Sequence, residues 1–158
     1  MPDKPKIDNS TYTTTDGVTV PARIYHLEQA NVEYKLIVAD FSRDGWSDSV
    51  VINQAIKTLA QSGEITVNVP HHVRRAQGRQ LSMVNKDGGH SSIAMFYRRG
   101  RLYQVQGTVL PSNPDPASSD AVRFQQSLEF INNFARTSPL GPFFDISPYN
   151  TRAPLFSR

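Results

Sequence analysis

Between Gly78 and Leu110 the chain carries three runs of strand-forming residues, GRQLSMVN, SIAMFYRR and RLYQVQGTVL. They are separated only by Asp87-Gly88-Gly89 and Arg99-Gly100. Runs of this kind joined by Gly turns read as hairpins, and three in succession predict an antiparallel meander. A two-residue turn at Arg99-Gly100 places Arg98 directly opposite Arg101. The same register puts Ala94, Phe96, Tyr103 and Val105 on one face, and Ile93, Met95, Tyr97 and Leu102 on the other. The middle strand is then apolar on both faces, so cover is expected on both.

The rest of the chain supplies that cover. VTVPARIYHLE (18–28) and VEYKLIVADF (32–41) flank the short link Gln29-Ala30-Asn31 and read as two more strands. Pro21 removes a ladder donor, which predicts an edge or bulged position for the first of them. In SDSVVINQAIKTLAQSG, Ile52, Ala55, Ile56 and Leu59 recur at helical spacing, with Ser47 or Asp48 as cap and Gly63 as terminator. EITVNV (64–69) reads as a strand stopped by Pro70. A second helix is expected from about Asp120 to Ala135, with Ala121, Phe124, Leu128, Ile131 and Ala135 on one face. The order ββ–α–ββββ–α predicts an α+β domain, an antiparallel sheet with helices packed on it. A chain of 158 residues suits a single domain. Residues 1–10 read as an extended N-terminal arm, 11–136 as the α+β domain, and 137–158 as a tail rich in Pro and aromatic residues. That tail is too apolar for a typical disordered segment, so residues 138–158 are expected to pack on a surface or on a second copy.

Charge is distributed unevenly. Residues 71–101 hold seven of the 17 Lys and Arg residues and one acid, Asp87. That is a local balance of about +6 against about −3 for the remainder. Meander topology divides this stretch. Arg74, Arg75, Arg79, Arg98, Arg99 and Arg101 are expected to gather at the Arg99-Gly100 end, with Lys86 and His90 at the other. The gathered arginines form the candidate binding site for an anionic ligand or an acidic protein. Equally, arginines at strand ends commonly lie over apolar surface or pair with local acids.

Other chemistry is sparse. Without cysteine there is no disulfide or thiolate metal site. His71-His72 lacks a third ligand at metal spacing, and no metal or cofactor is assigned. There is no Gly-x-Ser-x-Gly elbow or phosphate loop. Asp40, Asp44 and Asp48 lack the pattern of a calcium loop. No apolar run approaches the ~18 residues of a transmembrane helix, and MPDKPKIDNS lacks the apolar core of a signal peptide.

The elements together resemble the bacterial PsbP-like domains, α/β/α sandwiches related to the lumenal P subunit of the oxygen-evolving complex. MPDKPKI resembles the family's Pro-rich opening and VPARIYHLEQANVEYKLIVADFS its following hairpin. GRQLSMVN resembles the strand that opens its meander, and GRLYQVQGTV with AVRFQQSLEFI its closing strand and helix. The resemblance spans roughly residues 1–134. It implies an extracytoplasmic location and no common catalytic set. The function expected is therefore a non-enzymatic binding or accessory module that docks an anionic partner at the arginine end. The alternatives are an enzyme acting on a small anionic substrate with His71 or His72 as base, and a weak nucleic-acid binder.

Overall fold

In a computed structural model, the structure describes residues 5–43, 45–73, 76–115, 119–126, 128–131 and 134–137. Three strands open the chain: β1 (Lys6–Thr13), β2 (Thr19–Gln29) and β3 (Val32–Asp40). Helix α1 (Asp48–Leu59) and a short 3-10 turn (Ala60–Ser62) follow. The chain then runs through β4 (Gly63–Val73), β5 (Ala76–Asn85), β6 (His90–Arg98) and β7 (Arg101–Val109). It continues into α2 (Asp120–Gln125) and a hairpin of β8 (Leu128–Ile131) and β9 (Phe134–Thr137). β1 to β7 form one sheet in the order β1-β2-β3-β7-β6-β5-β4, every neighbouring pair antiparallel. The domain is α+β.

The local chemistry explains these elements. Ala30 (φ 54°) and Asn31 (φ 61°) close the β2–β3 hairpin with Gln29 opposite Val32, the left-handed pair that a two-residue turn needs. Ser47 caps α1, its side chain accepting from the Val50 amide at 3.4 Å. Arg99 (φ 51°) and Gly100 (φ 81°) turn β6 into β7, and Arg98 faces Arg101 as the alternation predicts.

Each face of the sheet carries its own core. Tyr25, Leu36, Val38, Phe96, Tyr103 and Val105 pack with Ala121 and Phe124 of α2. Phe41, Leu81, Ile93, Met95 and Leu102 pack with Val51, Ile52, Ala55 and Leu59 of α1. The first is the α2 face of the sheet and the second its α1 face. Trp46 joins the second core, its ring stacked on Phe41 at 5.9 Å between centroids. Two features seat α2. A Cβ on Gly107 would lie 2.6 Å from the Ala121 Cα, so only glycine lets the helix backbone come this close. The buried Gln125 amide donates to the Ile93 carbonyl at 2.7 Å and the Leu81 carbonyl at 3.2 Å.

Several expectations are corrected. β4 runs through Pro70 to Val73, with Pro70 opposite Arg79. β4 is an edge strand, where a missing donor leaves no ladder bond unmade. Conversely, β2 is internal, and β1 is the edge beside it. Pro21 is accommodated because the β2–β3 ladder begins only at Ala22. Residues 6–10 are extended, as an arm would be, but are paired within β1. The second helix stops at Gln125. Leu128, Ile131 and Ala135 lie in the β8–β9 hairpin, with Ile131 opposite Phe134. Phe130, Ile131 and Phe134 favour strand. The tail 138–158 lies outside the described residues.

Candidate functional site

Two places concentrate polar groups, one on each face of the sheet. The first is the arginine end. Alternation along β6 and β7 places Arg98 and Arg101 on the α2 face, with Asp40 of β3 opposite Arg101. One Asp40 oxygen, Oδ1, accepts from the Ser42 amide at 2.9 Å and from the Ser42 hydroxyl. The Arg101 guanidinium donates to the Tyr103 phenol oxygen, while its buried Nε has no hydrogen-bond partner among the described residues. Burial pushes the Tyr103 pKa up to about 12, opposed by the charge and hydrogen bond of Arg101 and the charge of Arg98, and assisted by Asp40. Arg23 of β2 lies opposite Val38, which lies opposite Tyr103, so it projects from the same face. Burial lowers the Arg23 pKa, with the Tyr25 phenol opposing.

The predicted cluster is not one group. Arg79 lies opposite Met95 and therefore belongs to the α1 face. Its Nε donates to Asn68 Oδ1 at 2.7 Å and its Nη2 to the Asn68 carbonyl at 3.2 Å. Arg79 shares the end of the sheet with Arg98 and Arg101 but points to the other side. Arg99 sits exposed at the turn. Arg74 and Arg75 lie outside the described residues, as does the His72 side chain. His90 lies opposite Val84 beside the far turn, with Lys86 exposed within that turn.

His71 is on the α2 face, half-buried. Across β4, β5 and β6 the register aligns His71, Gly78 and Phe96. The His71 and Phe96 rings meet over Gly78 with centroids 5.5 Å apart. A Cβ on Gly78 would stand 1.9 Å from the Met95 carbonyl oxygen and 2.7 Å from Phe96 Cδ1. An aromatic ring laid over a strand glycine protects the backbone it leaves bare. In this setting His71 packs on Phe96.

The second place is a cavity of about 470 Å³ on the α1 face. Its floor includes Gln104 and Gln106 of β7. Its walls include Glu33, Lys35 and Ile37 of β3, Tyr12 of β1, Thr58 and Leu59 at the end of α1, and Asn85, Lys86 and Asp87 at the β5–β6 turn. Burial raises the Tyr12 pKa to about 12, with a hydrogen bond to Thr58 opposing, so the phenol is neutral at physiological pH. Glu33 holds His26 at 2.8 Å. Beneath the floor runs a buried polar chain. Gln104 donates to Gln106 Oε1 at 3.3 Å, and Gln106 donates towards Thr108 at 3.4 Å and Ser91 at 3.5 Å. The two hydroxyls stand 2.7 Å apart, and Ser91 donates to Asn85 Oδ1 at 3.1 Å. Sequence reasoning passed over these residues, although QVQGT announces them: Gln104, Gln106 and Thr108 alternate with Tyr103, Val105 and Gly107.

Among the described residues, no three His, Cys, Asp or Glu side chains converge as a metal site. Among them too, no helix is long and apolar enough to cross a membrane.

No protein-family model matches the sequence. No curated protein matches it at a significant level. Among solved structures, the chain is similar to a Pseudomonas aeruginosa protein of unknown function described as a candidate regulator. The two share 11% identity at a TM-score of 0.42, over 66% of this chain and 85% of that one.

Proposed function

We propose that the protein is a non-enzymatic binding or accessory module that receives an anionic group, from a small ligand or an acidic protein, at the arginine end of its sheet. One observation carries this reading: Arg98 and Arg101 face each other on adjacent strands and on one side of the sheet. Like charges so placed destabilise a ladder. A bound carboxylate or phosphate relieves that repulsion and gains charge-assisted, fork-shaped hydrogen bonds. Helices on opposite faces of an antiparallel sheet also support the PsbP-like, α/β/α-sandwich reading, which we propose alongside it.

The test is calorimetric titration with inorganic pyrophosphate and with a Glu-rich peptide, at low and high salt. Arg98→Ala and Arg101→Ala should each weaken binding about tenfold or more, and added salt should weaken it further. Arg79→Ala should leave it unchanged, because Arg79 projects from the other face. Equal losses from Arg79→Ala, or no loss from Arg98→Ala and Arg101→Ala, would refute the assignment.

A further inference from the structure

We infer that the cavity on the α1 face is a binding site for an uncharged polyhydroxyl ligand of saccharide type, separate from the arginine end. The argument starts from the direction of the polar chain in its floor. Each side chain donates towards the β5–β6 turn: Gln104 to Gln106, Gln106 to Thr108 and Ser91, Ser91 to Asn85. Acceptor capacity is therefore left at the opposite end. Gln104 is only 4% exposed, and its Oε1 has no hydrogen-bond partner among the described residues. A buried acceptor without a donor costs roughly 1–3 kcal/mol. That penalty sits in a central strand where an aliphatic residue would pack at no such cost. The terminal torsion of glutamine is broad, so the amide can turn its oxygen to cavity contents without moving β7, exchanging its long 3.3 Å bond to Gln106 for one to the ligand.

The missing group is a donor, and the walls narrow its kind. A fully ionised anion brings no donor. A cation meets Lys35 and Lys86, which balance the charges of Glu33 and Asp87 in the lining, and each acid already accepts a hydrogen bond on one oxygen: Glu33 with His26, and Asp87 from the Gly89 amide at 2.9 Å. A hydroxyl both donates and accepts, as do the amides, phenol and hydroxyls around it. The apolar surface of Ile37, Leu59 and Met83 suits the C–H face of a sugar ring. The volume is within the range of small-molecule sites.

The experiment uses the full chain, labelled with nitrogen-15, and maltose as the probe, with sodium sulfate and methylammonium chloride as parallel arms. Maltose should shift the side-chain amide signals of Gln104 and Gln106 below about 10 mM, the weak end of specific binding. Neither ion should do so. Gln104→Leu should weaken the maltose response about tenfold or more without lowering the melting temperature, since it removes a buried amide and keeps its bulk. Tyr12→Phe, which keeps the ring and removes the phenol oxygen, should also weaken it, and it preserves the test if Gln104→Leu fails to fold. Silence with maltose would overturn the inference. So would an equal response to either ion, or undiminished binding in the folded variants. Arg101→Ala should leave the maltose response intact, so this inference and the arginine reading fail independently.

Discussion

Replacing Gly78 by Ala tests how closely β5 and β6 approach. The added Cβ would lie 1.9 Å from the Met95 carbonyl oxygen, where carbon and oxygen normally keep about 3.3 Å. The obstacle is backbone, so no rotamer change relieves it, and the strands must part by more than an ångström. Overpacking of this kind costs typically 1–3 kcal/mol, and ladder bonds lost beside it cost about 1 kcal/mol each. The ring contact of His71 with Phe96 over the glycine is disturbed as well. A loss of about 3 kcal/mol is expected, or roughly 6–12 °C in melting temperature for a domain of this size. Urea and thermal denaturation followed by circular dichroism measure it. Gly88→Ala is the control: Gly88 has φ 94° and open space where its Cβ would go, so only the left-handed conformation is penalised, by about 1–2 kcal/mol. If Gly78→Ala loses less than Gly88→Ala, the close-approach argument is wrong.

Gly107→Ala should displace α2, because its Cβ would collide with the backbone of Ala121. Loss of the Tyr34–Phe124 edge contact in near-ultraviolet circular dichroism would report it, and an unchanged spectrum would contradict it. Alkaline stability follows from Tyr12 and Tyr103, whose pKa values burial raises to about 12. Both phenols favour the neutral form when folded, so their contribution is full below about pH 10 and is lost as pH rises towards about 12. Burial raises the Tyr34 pKa as well, so phenolate absorbance should show at least Tyr12 and Tyr103 of the six tyrosines ionising late, together with unfolding. Ionisation of all six near pH 10 in the folded protein would contradict this.

The meander was legible because its signals are local. Arg99-Gly100 sets a two-residue turn, and the turn sets the face of every residue from Ile93 to Val105. α1 was legible for the same reason, its cap and apolar spacing lying within one segment. Position in the sheet was not local. Nothing in EITVNVP states that β4 is an edge, so Pro70 read as a stop. The arginines needed a further fact. Five residues, Asn85 to Gly89, link the β5–β6 ladder between Val84 and His90, and that count decides the face of Arg79. Without it, sharing an end of the sheet looked like sharing a site. The cavity draws on β1, β3, α1, β5 and β7 together, so only its floor, in QVQGT, was written in one place.

The sheet order has a consequence for how the chain assembles. β1–β2–β3 and β4–β5–β6–β7 are each built from sequential hairpins, and within the sheet they meet along a single long-range ladder, from Asp40 opposite Arg101 to Val32 opposite Val109. Hairpins close quickly, whereas distant pairings carry a larger loop-closure cost and slow folding. The β3–β7 seam is therefore the step at which two preformed meanders become one protein. Residues 41–62, α1 included, are the only covalent link between those halves, and the stretch ahead of Ser47 leaves α1 whole. A chain cut there should still reassemble from its two pieces, with β3 and β7 as the surfaces that find each other.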